Sequence, residues 1–138
     1  MYILDAGALL NNENFSFEEE NKYYTTNSIF NEWKDFRSKS LAESALSSGF
    51  MIVQDPCPIS VQATFEKLEA SNTKLSDADV SLVALAIEFR GRKENFVVVT
   101  DDYSIQNVLK KLRVKFVGIA QKEIKKTRIF KKPNPDQS

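Results

Sequence analysis

Four acidic side chains, Asp5, Glu32, Asp79 and Asp102, have the types and positions that invite chemistry. Asp5 directly follows the apolar run at residues 1–4, and Asp101 and Asp102 directly follow residues 96–100, so each stands where a strand hands over to its connection. Asp79 opens the apolar stretch at residues 80–87. Glu32 falls in the second turn of a predicted helix, beside the apolar face of Ile29, Phe30, Trp33 and Phe36. Open parallel sheets bind ligands beyond the carboxyl ends of their strands, where neighbouring connections leave on opposite faces. Four separate segments can bring these acids to one such place. Carboxylates at contact distance raise one another's pKa or require a cation. An all-oxygen ligand set suits Mg²⁺ or Mn²⁺, and a hard ion with open positions for water and phosphate oxygens supports phosphodiester hydrolysis.

Each acid also has a simpler use. Asp5 could cap whatever follows the first strand, Asp79 could complete a capping box with Ser76, and Asp101 or Asp102 could cap the helix opening at Tyr103. Glu32 could be an exposed helix residue paired with a lysine. Other chemistries are closed by composition. Cys57 is the only cysteine and there is no histidine, which excludes a disulfide framework, a Cys/His zinc site, a Ser/His or Cys/His pair and a histidine base. Only four glycines occur and none forms a phosphate loop, which argues against a dinucleotide-binding module.

The elements that must position the acids follow from periodicity. Residues 1–4, 23–25, 50–53, 96–100 and 115–119 read as strands, the last three as continuous apolar runs of the kind covered on both faces. Helical patterns lie near 27–47, 60–70, 77–90 and 103–112. Thr26 or Asn27 and Ser76 are candidate caps, Pro58 precedes a helix, and Gly49 and Gly91 stand where a left-handed residue is expected. The stretch at 80–87 is apolar almost all round and predicts a helix buried in the centre. The alternation predicts an α/β protein: a three-layer α/β/α domain with a five-stranded, mainly parallel sheet. With 138 residues, 42% of them hydrophobic, one core is sufficient without staples.

The 19 basic and 19 acidic residues cancel overall but are sorted along the chain. Residues 108–132 carry ten bases against Glu123 alone. Lys110, Lys111, Arg113, Lys125, Lys126 and Arg128 are thus candidate contacts for a polyanion such as RNA backbone, or else a solvated helix face and tail. Residues 131–138 lack apolar side chains and hold two prolines, which marks a tail or linker. No signal peptide and no membrane-length apolar run is legible, which sets the expectation of a cytoplasmic protein without membrane contact.

Several of these stretches together resemble a known family. Residues 3–8 (ILDAGA), 25–32 (TTNSIFNE), 75–79 (LSDAD) and 99–108 (VTDDYSIQNV) look like a PIN-domain ribonuclease. They are most similar to the Nob-type branch that trims the 3′ end of small-subunit ribosomal RNA. The resemblance covers residues 1–120, the expected nuclease domain, and leaves 121–138 as a basic extension. It implies Mg²⁺- or Mn²⁺-dependent hydrolysis of single-stranded RNA that leaves 5′-phosphate and 3′-hydroxyl ends. Its catalytic acids carry over to Asp5, Glu32, Asp79 and Asp102, with Asp5, Asp79 and Asp102 as metal ligands and Glu32 as an outer ligand or water-orienting base. Asp77 and Asp101 lie off the matching positions and would hold a second ion or shape the field. Thr100 would orient the site through its hydroxyl.

The implied partners are precursor ribosomal RNA of the small subunit and ribosome-assembly proteins. The branch commonly carries a zinc ribbon after the PIN domain, and this chain has no Cys and His set to build one. That departure implies an isolated catalytic domain or a form docked by partner proteins. Competing readings are a toxin-type PIN ribonuclease with an antitoxin, against which Gln106-Asn107 argues, and a receiver-like phosphoacceptor, which would need a switch lysine. A non-catalytic RNA-binding scaffold follows if the four acids fail to meet.

Overall fold

The apolar runs become five short strands, all paired in parallel. In the computed structural model, which describes residues 1–12 and 15–119, the strands are β1 (Tyr2–Leu4), β2 (Tyr23–Thr25), β3 (Met51–Val53), β4 (Val97–Val99) and β5 (Phe116–Val117). They form one sheet in the order β3-β2-β1-β4-β5. Tyr2 aligns with Tyr23 on one side and Val97 on the other, so β1 lies at the centre. The helices are α1 (Gly7–Leu10), α2 (Asn27–Phe30), α3 (Phe36–Ser47), α4 (Pro58–Ala70), α5 (Asp77–Gly91) and α6 (Tyr103–Leu112). They cover the sheet in the three-layer α/β/α arrangement expected from the alternation.

Strand order decides where a site can form. The chain moves outward from β1 through β2 to β3, then returns to the other side of β1 as β4 and moves outward again to β5. Right-handed crossovers send connections that travel in opposite directions onto opposite faces. The gap beyond the carboxyl ends of β1 and β4 is therefore a topological switch point. Asp5 and Asp102 lie there by chain position alone.

The centre of the molecule is α5. Leu82, Val83, Ala84, Leu85 and Ala86 are fully buried, and the helix packs on α2, α4, α6 and β1. Ser76 caps it by accepting from the Asp79 amide at 3.2 Å. The same cap fixes Asp79 in the first turn, at the end of α5 that lines the switch point.

The helix expected over 27–47 divides in two. Apolar spacing through Phe36 imitates one continuous face, but Asp35 accepts from the Ser38 amide at 2.9 Å and starts a new helix. Phe36 is then 86% exposed, not part of a core face. Glu32 lies in the turn between α2 and α3 rather than in the second turn of a helix. The turn lets Trp33 swing inward, where it is buried and donates from Nε1 to the Ala6 carbonyl at 2.8 Å. Smaller differences concern the caps. Pro58 is the first residue of α4, whose missing N–H costs nothing there. Gly49 has the expected positive φ of 82°, whereas Gly91 ends α5 and Lys93 takes the left-handed position with φ 60°. The four-residue α1 was not legible from periodicity. Among the described residues, no helix is long and apolar enough to cross a membrane.

Candidate active site

Asp5 is fixed from two sides. One carboxylate oxygen, Oδ1, accepts from the Ala6 amide at 2.8 Å, and the other, Oδ2, accepts from the Thr100 hydroxyl at 2.7 Å. Thr100 is fully buried at the end of β4, and its Oγ1 also accepts from the Asp102 amide at 3.1 Å. One hydroxyl thereby links the acid after β1 to the acid after β4. Gln106 closes the arrangement from α6, donating from Nε2 to the Thr100 carbonyl at 2.8 Å. Thr100, expected to orient the site, thus stands in contact with both acids.

Asp102 does two things at once. Its Oδ1 accepts from the Ile105 amide at 3.1 Å, so it caps α6 as the simpler reading held. It also lines a cleft of about 430 Å³ together with Asp5, Glu32, Asp79 and Asp101. Capping and convergence are thus both true of Asp79 and Asp102. Asp101 Oδ1 accepts from the Ile119 amide at 2.9 Å, which ties the cleft to the segment after β5. Asp77 is exposed in the first turn of α5 and does not line the cleft.

The electrostatics express the crowding. Burial raises the pKa of Asp5 above its ordinary value; the hydrogen bonds from Thr100 and Ala6 oppose this, and the charges of Asp79 and Asp102 add to it. Glu32 is raised by burial and then by Asp5 and Asp79. Asp79 is raised by burial, held back by Ser76, and pushed further by Asp102. Asp5, Glu32 and Asp79 therefore each sense a neighbouring carboxylate across the cleft. Among the described residues the one ion pair joins Arg92 to Glu88 at 2.8 Å, and neither residue lines the cleft.

Among the described residues, this donor set fits a hard divalent cation: several carboxylates, no histidine or cysteine, and no basic side chain lining the cleft. The fit is to an open cleft and not to a closed cage. Among the described residues, no three acids stand close enough to enclose an ion by themselves. Asp5, Asp79 and Asp102 are the residues that would hold one, with water and phosphate oxygens completing its shell.

The basic candidates are elsewhere. Lys110 and Lys111 lie in the last turn of α6 and Arg113 caps it in the left-handed conformation, φ 59°. All three are exposed. Eight residues of helix separate Lys110 from Asp102, about 12 Å along the axis. There the bases offset the negative end of the helix dipole. Lys125, Lys126 and Arg128 lie outside the described residues, as does the whole of the basic extension expected over 121–138.

Sequence reasoning passed over Leu10, Asn11 and Gly7, which also line the cleft. They belong to α1 and its cap, too short to show a period. The available signal was Gly7 itself. A Cβ there would stand 3.0 Å from Nδ2 of the Asn11 side chain and 3.5 Å from the Ile119 side chain, so glycine leaves room for both to pack against this wall of the cleft.

The chain is similar to known proteins along most of its length. The profile described as "PIN domain of ribonuclease" matches residues 2–89, a span that includes Asp5, Glu32 and Asp79. Endoribonuclease Nob1 of Methanothermobacter thermautotrophicus is 35% identical over 127 residues, covering 91% of this chain and 72% of the relative. Endoribonuclease Nob1 of Methanocaldococcus jannaschii is 32% identical over 130 residues, covering 94% of this chain and 62% of the relative. Endoribonuclease Nob1 of Pyrococcus abyssi is 38% identical over 97 residues, covering 67% of this chain and 56% of the relative.

Proposed function

We propose, since this chain belongs to the PIN-domain ribonuclease family on its Nob1 branch, that it is a divalent-metal-dependent endoribonuclease acting on single-stranded RNA. We further assign its substrate to the precursor of small-subunit ribosomal RNA, cut at the 3′ end in the cytoplasm in company with ribosome-assembly proteins. That finer assignment extends the likeness of residues 3–8, 25–32, 75–79 and 99–108 to the Nob-type motifs.

The observation that carries the nuclease reading is convergence. Asp5, Glu32, Asp79 and Asp102 come from four distant segments and face one cleft at the switch point of the sheet. A bound Mg²⁺ or Mn²⁺ supplies Lewis acidity and neutralises charge that builds on the phosphate. Asp5, held rigidly by Thr100 and Ala6, Asp79 at the cap of α5 and Asp102 at the cap of α6 present the ligand oxygens. Glu32 is the most solvent-exposed of the acids with a raised pKa, which suits it to accept a proton from the attacking water on a carboxylate oxygen.

The test is cleavage of a short RNA spanning the mature small-subunit 3′ end, with Mn²⁺ or with chelator. Cutting is expected only with the ion, and is expected to vanish in the Asp5→Asn, Asp102→Asn double variant. Asparagine caps helices as well as aspartate does, so α6 should survive the change. Unchanged cutting by the folded double variant would overturn the assignment and leave an RNA-binding scaffold.

A further inference from the structure

Among the described residues the cleft lining is acidic, and the basic end of α6 is about 12 Å from Asp102 along the helix axis. The carboxyl edge of the sheet offers a different set of side chains. Tyr103 directly follows cleft-lining Asp102 and is 76% exposed at the first turn of α6. Phe36 opens α3, four residues beyond cleft-lining Glu32, and is 86% exposed. α6 directly follows β4, and α3 follows β2 after α2, so the two rings stand on connections that leave the sheet from the strands on either side of β1.

The start of α3 is held beside the cleft wall. Arg37 Nη2 donates to the Leu9 carbonyl at 2.6 Å, and the adjacent Leu10 lines the cleft at 40% exposure. Two lysines accompany the rings. Lys34 lies two residues after Glu32 and Lys74 two residues before cleft-lining Ser76. Both are exposed, and two residues of chain span at most about 7 Å. The edge thus combines π-faces with cations within side-chain reach of the acids, which is the pairing that recognises single strands: stacked bases and neutralised phosphates. A duplex keeps its bases stacked on one another and has no free faces to offer.

Resting on the endonuclease reading, we propose that Tyr103 and Phe36 stack on unpaired nucleobases to either side of the cut, while Lys34 and Lys74 hold the adjoining phosphates. The single strand crosses the carboxyl edge from α3 to α6, and Lys110 and Lys111 take no part in binding it.

The test measures binding of a fluorescently labelled 12-nucleotide single strand in chelator, where no cutting interferes, with a 2-aminopurine placed beside the scissile position. Tyr103→Ala and Phe36→Ala are expected to weaken binding about tenfold or more each, and Tyr103→Ala to restore the 2-aminopurine fluorescence that stacking quenches. Tyr103→Trp is expected to keep both affinity and quenching. Lys34→Ala and Lys74→Ala should weaken binding and flatten its salt dependence, whereas a Lys110→Ala, Lys111→Ala double variant should bind within twofold of the parent. All of these side chains are exposed, and a melting curve verifies that each variant is folded. A parent protein that cuts RNA while both ring variants bind as tightly as it does would overturn this proposal alone. Loss of binding in the Lys110, Lys111 variant in place of the ring variants would do the same. A parent that neither binds nor cuts would overturn the endonuclease reading and this proposal with it.

Discussion

Asp5 has both carboxylate oxygens engaged by donors, and the Thr100 hydroxyl is the donor that also reaches Asp102. Thr100→Val keeps the shape of the side chain and removes that hydroxyl. The buried acid then loses a charge-assisted bond, at a cost of about 1.5–3 kcal/mol in denaturant unfolding, and Thr100→Ser should recover most of it. Glu32 behaves in the opposite sense. Its charge is opposed by burial, Asp5 and Asp79, so Glu32→Gln should melt at higher temperature than the parent in chelator. The same change should slow cutting by roughly 10²–10⁴, the usual contribution of a positioned base. A variant that is more stable and less active separates a functional acid from a structural one. Position in the sequence revealed Asp5 and Asp102, because an acid directly after an apolar strand stands at the carboxyl edge whatever the rest of the chain does. It could not place Glu32, whose setting depends on a turn that apolar spacing conceals.

That turn shows how short elements depend on long ones. A helix of four residues such as α2 has no stability of its own. Its end is held by Trp33, through burial and through the bond from Nε1 to Ala6. Trp33→Phe keeps most of the apolar volume and deletes the bond. It should cost about 1 kcal/mol of stability yet slow cutting by up to ~10²-fold, because Glu32 is displaced. Comparing the denaturation midpoint with the cleavage rate checks this disproportion. Glu88 joins α5 to the start of α4. Burial would raise its pKa, but the Cys57 amide at 2.7 Å, the Arg92 guanidinium and Gln54 hold it below its ordinary value of 4.5. A lowered folded-state pKa means stability that is complete above the unfolded value and lost as pH falls through the folded one. The contribution of Glu88 should therefore be lost in acid below about pH 4.5, and Glu88→Gln should be less stable than the parent at pH 7, by a margin that shrinks as the pH falls. The long elements were legible for the same reason that they are dependable. α5 is apolar on nearly every side, as its burial requires, and β3, β4 and β5 are apolar runs, of which β3 and β5 are edge strands that are only partly covered. The break before α3 was signalled by Asp35 and Ser38, a capping pair that the spacing of Ile29, Phe30, Trp33 and Phe36 outweighed.

At the scale of the molecule, the sheet order makes β1 the keel and α5 the ballast. Leu85→Ala removes fully buried volume from α5 and should cost about 2–5 kcal/mol, a large part of the 5–15 kcal/mol that holds a domain of this size. Cutting should fall only with the folded fraction, so the rate per folded molecule stays unchanged as stability drops. The basic end of α6 teaches a related lesson. Charge density along a sequence does not say which end of a helix lies nearer a site, and here Lys110 and Lys111 stand in the last turn of α6 while Asp102 caps its start. The bond from Thr100 to Asp5 spans 95 positions of chain. Contacts so distant in sequence form late, after the loop between them has been ordered. During translation the first ninety residues emerge bearing Asp5, Glu32 and Asp79 but not the strand that supplies Thr100 and Asp102. A nascent chain at that stage holds an incomplete cleft, because Asp102 and the hydroxyl that ties it to Asp5 arrive only with the last third of the domain.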